Sequence, residues 1–166
     1  MSKVNVSLHD KEKTNVMRIL DSKGIHYVKY CYKGSGAISG IEVSDFLGQD
    51  PNHVFKTLVT VGHSKEHYVF VIPVNCELNL KKAAVSVGEK SIEMIKSKEL
   101  LPLTGYIHGG CSPIAMKKQF VTVVDESAVL YDTIIFSGGK IGYQVEMSLD
   151  SLEAVIPFEL KDVTSE

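Results

Sequence analysis

The segment Thr104-Gly105-Tyr106-Ile107-His108-Gly109-Gly110-Cys111-Ser112-Pro113 concentrates residues whose main chain can do chemistry. Gly109 and Gly110 have no β-carbon to hold a ligand off the backbone, so amides here can point at an anion or a developing oxyanion. Such a loop needs no side-chain nucleophile. The same composition also suits a plain turn, and the residues alone leave both readings open. It matches neither a Walker loop nor a dinucleotide fingerprint. Lys56 is the second candidate, a cation preceded by Val54 and Phe55 and followed by Leu58 and Val59. Lysines are seldom buried without a partner, so Lys56 either ends a strand in solvent or faces a pocket that takes an anionic or carbonyl group.

Other reactive types are poorly placed. His63 and His67 have the spacing of helical zinc ligands, but Gly62 and flanking strand-like runs put them on a turn, where two rings do not converge. Cys111 has only His108 as a nearby base and reads as a small loop residue. No Gly-x-Ser-x-Gly elbow occurs. Ser137-Gly138-Gly139-Lys140 reads as a hairpin turn with Lys140 in solvent. These residues call for no metal and no cofactor.

The elements that must carry these groups alternate quickly. Val16, Ile19 and Leu20 predict an opening amphipathic helix ending near Gly24, and Ile25 to Tyr32 a strand. A glycine-rich stretch, Lys33 to Gly40, resembles a mobile loop. Val43, Phe46 and Leu47 repeat at helical spacing, and Asp50-Pro51 signals a further helix start. Lys56 to Val61 and Tyr68 to Val74 form a hairpin. Asn79 caps a helix whose inward face is Leu80, Ala83, Ala84 and Val87, ended by Gly88, with Lys81 and Lys82 outward. Ile92 to Leu103 is ambiguous. Phe120 to Val124 is a buried strand, Thr133 to Phe136 pairs with Gln144 to Met147, and Leu149, Leu152, Val155 and Ile156 close with a helix. Without a strict βαβ rhythm, this predicts a mixed α/β fold over 1–166: one domain with a curved, mostly antiparallel or mixed, barrel-like sheet and surrounding helices.

Composition narrows the function classes. The chain has 166 residues, 44% of them hydrophobic, and 18 Lys+Arg against 20 Asp+Glu give a formal charge of -2. No overall basic field holds a polyanion, so RNA must be gripped locally. Apolar runs such as Tyr68 to Ile72 are too short to cross a bilayer, and the polar start Met1 to Asn5 lacks a signal-peptide apolar region. A soluble, cytoplasmic protein without membrane contact is expected. Cys31, Cys76 and Cys111 cannot all pair and are expected to be reduced.

Taken in order, Val54-Phe55-Lys56-Thr57-Leu58, Pro73-Val74, Leu80-Lys81-Lys82, Thr104 to Pro113, Lys117-Lys118 and Ser137-Gly138-Gly139-Lys140 resemble the YbaK/EbsC family. These are the Cys-tRNA(Pro) deacylases, in a superfamily with the inserted editing domain of bacterial prolyl-tRNA synthetases. The resemblance runs from Thr14 to Ile156. It implies a curved mixed sheet and a pocket for the acceptor end of a mischarged tRNA. By motif, it gives catalytic roles to Lys56, Gly109 and Gly110. It gives substrate-binding roles to Tyr32, Thr57, Cys111, Ser112, Pro113, Ser137, Gly138 and Gly139. It implies that the thiol of a cysteinyl substrate attacks its own ester, which removes the need for a protein nucleophile. Prolyl-tRNA synthetase is the implied partner, supplying RNA grip that a weakly charged chain lacks. Two departures touch specificity: Gln144 stands where family members can have an acid, and the Gly34 to Gly40 loop lacks an aromatic found in relatives. Cys-tRNA(Cys) is a further implied substrate; the alternatives are a deacylase for another small amino acid, such as Ala-tRNA(Pro), a binding module without catalysis, and a hydrolase that uses Cys111 as its nucleophile.

Overall fold

The computed structural model describes residues 11–165; the polar stretch Met1 to Asn5 lies outside them. Thr14 caps α1 (Asn15–Ser22), its hydroxyl accepting from the Met17 amide at 3.2 Å, and the helix buries Val16, Met17 and Leu20. Strand β1 (Val28–Cys31) is shorter than the apolar run around it. Ser39 caps α2 (Gly40–Leu47) in a capping box, with Glu42 accepting from the Ile38 and Ser39 amides at 3.1 Å. Asp50-Pro51 starts no helix, contrary to its sequence signal. Asp50 closes a turn instead, accepting from the Asn52 and His53 amides at 2.9 Å, because Val54 onward is drawn into sheet pairing.

The central hairpin is β2 (Phe55–Gly62) and β3 (His67–Pro73), paired antiparallel from Phe55↔Pro73 to Val61↔His67. After β4 (Glu77–Leu78), the Asn79 side chain caps α3 (Leu80–Val87) through the Lys82 amide at 3.0 Å. Ala83 and Ala84 are buried as expected, but Leu80 is 42% exposed. The helix packs through its two alanines, and its first residue overhangs that face. The ambiguous stretch divides into β5 (Ile92–Met94) and α4 (Ser97–Thr104). Then follow β6 (Val121–Asp125), a 3-10 turn, β7 (Ile134–Ser137), β8 (Tyr143–Met147), the short α5 (Leu149–Glu153), β9 (Glu159–Lys161) and β10 (Thr164–Ser165).

Five strands form one sheet in the order β5-β2-β3-β6-β9, antiparallel at β2 and parallel at β6. A second, antiparallel sheet has the order β1-β8-β7. The mixed α/β class read from the sequence holds. The sheets meet at a seam, a parallel bridge between Val54 and Ile135, rather than closing into a full barrel. The larger core, including Phe55, Val59, Val71, Phe136, Tyr143 and Leu152, fills the space between the sheets and α1. A smaller core, including Phe70, Ile72 and Ala83, lies under α3. No helix among the described residues is long and apolar enough to cross a membrane.

Candidate active site

The seam generates the site. The Val74 amide donates to the Val54 carbonyl at 2.8 Å, and the Gly62 amide to the Glu66 carbonyl at 2.8 Å. The even-numbered residues of β2 therefore aim their main chain at β3, and the odd-numbered ones aim away. On that far edge β7 covers Val54, and β5 covers Thr60 onward, with the Ile95 amide just past its end reaching the Val59 carbonyl at 3.3 Å. Between them Thr57 faces an uncovered stretch of strand. Its Oγ1 is buried and has no hydrogen-bond partner. An orphaned buried hydroxyl costs stability, and a polar atom of a ligand reaching it would complete its bonding.

A cavity of about 530 Å³ opens against this stretch, and Lys56 and Thr57 both line it. Of the two readings of Lys56, the structure selects the pocket. The side chain is half-buried and makes no ion pair or hydrogen bond among the described residues. No carboxylate lines the cavity, so nothing in the lining compensates the Lys56 charge.

The glycine loop forms one rim, through His108, Gly109 and Cys111. Gly109 has φ +90, and a β-carbon there would stand 2.8 Å from Ile38 Cγ2, so only glycine lets this loop pack on the segment before α2. Gly110 corrects the expectation that its amide faces substrate: it donates to the Ile107 carbonyl at 3.0 Å, closing the loop's own turn. The amides of Gly109 and Cys111 have no acceptor among the described residues. Ser112 is fully buried behind the lining, and its Oγ accepts from the Ile114 amide at 3.2 Å. Pro113 also stands behind the lining. Burial pushes the Cys111 thiol up to about 12, which disfavours the thiolate that a nucleophile needs.

Ser137 reaches the cavity, while Gly138 and Gly139 shape the turn behind it. The Gly138 amide donates to the Tyr143 carbonyl at 2.9 Å and the Gly139 amide to Ser137 Oγ at 3.1 Å. Tyr32 is buried and lines the cavity, and burial raises its hydroxyl above the usual phenol range. The structure thus brings together Lys56, Thr57, Gly109, Cys111, Tyr32 and Ser137 from four separate segments. Gly110, Ser112, Pro113, Gly138 and Gly139 support them from outside the lining.

Sequence reasoning missed two walls. Ser39, Gly40 and Ile41 open α2 directly onto the cavity, where a mobile loop was expected. The signal was present as Ser39-x-x-Glu42, a capping box. Met94, Ile95 and Leu100, with Ser97 among them, make a mostly apolar wall from the stretch whose elements the periodicity left ambiguous.

The pocket joins Lys56, unpaired among the described residues, to an orphaned hydroxyl and a glycine rim, and the matching family defines the class. Residues 38–155 match the aminoacyl-tRNA editing domain. The chain belongs to this family of editing enzymes. Among its relatives, an Enterococcus faecalis protein described as a candidate Cys-tRNA(Pro)/Cys-tRNA(Cys) deacylase, EbsC, is 42% identical over 156 residues, 93% of this chain and 95% of that one. A stretch of 84 residues, 51% of this chain, is 31% identical to 15% of the proline–tRNA ligase of Pelobacter propionicus. The crystal structure of a candidate trans-editing enzyme for prolyl tRNA synthetase shares the fold, with a TM-score of 0.80 at 22% identity, covering 93% of this chain and 100% of that one.

Proposed function

We propose that this chain acts in trans to hydrolyse the ester joining a small amino acid to the terminal ribose of a mischarged tRNA, with cysteine on tRNA(Pro) as the first substrate. The observation that carries the reading is Lys56, unpaired among the described residues, and the partnerless Thr57 hydroxyl on the lining of one pocket. The name of the Enterococcus faecalis relative supports cysteine. Lys56 holds the ester carbonyl or the terminal nucleotide, the Gly109 and Cys111 amides face the carbonyl oxygen, and Thr57, Ser137 and Tyr32 position the amino acid and ribose.

A cysteinyl ester supplies its own nucleophile. Its sulfur bonds to the carbonyl carbon, the carbon–oxygen bond to the ribose breaks, and the thiol proton passes to the ribose oxygen. Water then opens the resulting cyclic thioester. This path fits a pocket whose own thiol stays protonated. The -2 charge and the kinship with a proline–tRNA ligase support prolyl-tRNA synthetase as the partner that brings the tRNA.

The deciding experiment is hydrolysis of Cys-tRNA(Pro), Ala-tRNA(Pro) and Pro-tRNA(Pro) by wild type and Lys56→Ala. Loss of the cysteinyl ester alone, abolished in the variant, is the expected result. Cleavage of the alanyl ester instead moves the protein to another substrate. No cleavage of either mischarged species, with the synthetase added, refutes the deacylase reading.

A further inference from the structure

Two glutamines without an assigned role face each other at the inner side of the pocket. Gln144, on β8, is 4% exposed and lines the cavity. Its Oε1 accepts from Gln49 Nε2 at 2.8 Å, and its Nε2 donates to Gln49 Oε1 at 3.3 Å. Gln49 follows Gly48 at the C-terminal end of α2 and is not a lining residue. The reciprocal pair uses one N–H and one lone pair of each carboxamide, which leaves Gln144 one of each to offer.

A buried carboxamide must be satisfied, so Gln49 decides how Gln144 is turned. The register sets Gln144 opposite Ser137, which also lines the cavity. The other end of α2 supplies Ser39, Gly40 and Ile41 to the cavity wall. The same pair therefore ties one wall of the pocket to the strand that carries its inner polar groups.

We propose that Gln49 is a positioning residue: by pairing with Gln144 it fixes the donor and acceptor that Gln144 presents beside Ser137, and thereby sets discrimination among acyl groups. This rests on the deacylase reading above. Gln49 never meets substrate. Its influence passes through one carboxamide.

The test uses the full chain with Gln49→Met, Gln144→Met and the double variant, reading kcat and KM for Cys-tRNA(Pro) and Ala-tRNA(Pro) together with unfolding free energies. Losing one buried amide pair is expected to change the cysteinyl-to-alanyl ratio of kcat/KM about tenfold, chiefly through KM. The double variant should be no worse than Gln144→Met. Gln49→Glu, which keeps an acceptor for Gln144 Nε2 but sets a carboxylate oxygen where Gln49 donates to Gln144 Oε1, should shift the ratio as Gln49→Met does. Should Gln49→Met fail to fold, Gln49→Asn, which is polar but one methylene too short, should show the same shift in ratio. An unchanged ratio in Gln49→Met or Gln49→Asn, or losses that multiply in the double variant, overturns the proposal. A wild type that cleaves neither ester, while the unfolding energies still show coupling, strikes down the deacylase reading and the substrate role with it, leaving the pair as structure alone.

Discussion

Gly40 and Val74 meet so closely that a β-carbon on Gly40 would stand 2.3 Å from Val74 Cγ1 and 2.8 Å from Val74 Cβ. Both residues line the cavity, so a missing methyl sets the distance between the first turn of α2 and the end of β3. Val74 is β-branched and cannot swing aside cheaply. Gly40→Ala is therefore expected to cost about 1–3 kcal/mol in urea unfolding. Deacylation should fall by at least about tenfold, since small displacements of positioning groups are expensive. Wild-type values in both measurements would show that α2 is free to retreat.

The buried, unpartnered Thr57 hydroxyl predicts opposite effects on stability and activity. Thr57→Val keeps the shape and removes the orphan oxygen, so it should stabilise the fold by about 1 kcal/mol. The same change removes a bond that substrate supplies, and kcat/KM should fall about tenfold. A variant that is both less stable and fully active would mean that the hydroxyl has a hidden protein partner and no ligand.

The local elements were legible because their caps and periodicity are local: Asn79 to Gly88 reads as a helix and is one, and the hairpin of β2 and β3 follows from two apolar runs and a polar turn. Lys56 was visible as an anomaly, yet its exposure depended on the Val54–Ile135 bridge, a contact across 81 positions that no spacing encodes. The same non-locality hid the fate of the Gly110 amide, which a turn to Ile107 consumes. Strands β9 and β10 were missed: β9 is exposed and short, and its parallel pairing with β6 leaves no alternation to read. The family resemblance named residues that line one cavity, and the sheet seam explains why that cavity lies there.

Cys111 gives a prediction with a pH sign. Burial pushes its thiol up to about 12, above the ordinary value of 9.0. The folded state therefore holds this proton more tightly than the unfolded chain. Its contribution to stability is complete below the unfolded value and is lost as pH rises from there toward about 12. At pH 7 to 8 the thiol should resist iodoacetamide in the native protein, and Cys111→Ala should keep deacylation within about threefold of wild type while lowering stability by the lost packing. Rapid labelling of Cys111 coupled to loss of activity would restore it as a nucleophile.

Glu12 predicts how the mouth of the pocket answers RNA. Its carboxylate binds Lys140, accepts from the Tyr143 hydroxyl at 3.0 Å and meets Lys33 at 3.3 Å. The Lys140 hydrogen bond, above all, lowers its pKa to about 2, so it stays ionised at every working pH. Any stability it lends is present above the ordinary carboxylate value of 4.5 and fades as pH falls toward about 2. Lys140 lies against Gly110, whose neighbour Gly109 forms the rim. Glu12→Gln releases two lysines beside that rim without touching the lining. Binding of free tRNA should tighten, and the slope of log K against log salt should steepen by about one. Stability at pH 7 should barely change, because exposed ion pairs contribute little. An unaltered salt slope would show that neither Lys33 nor Lys140 meets the RNA.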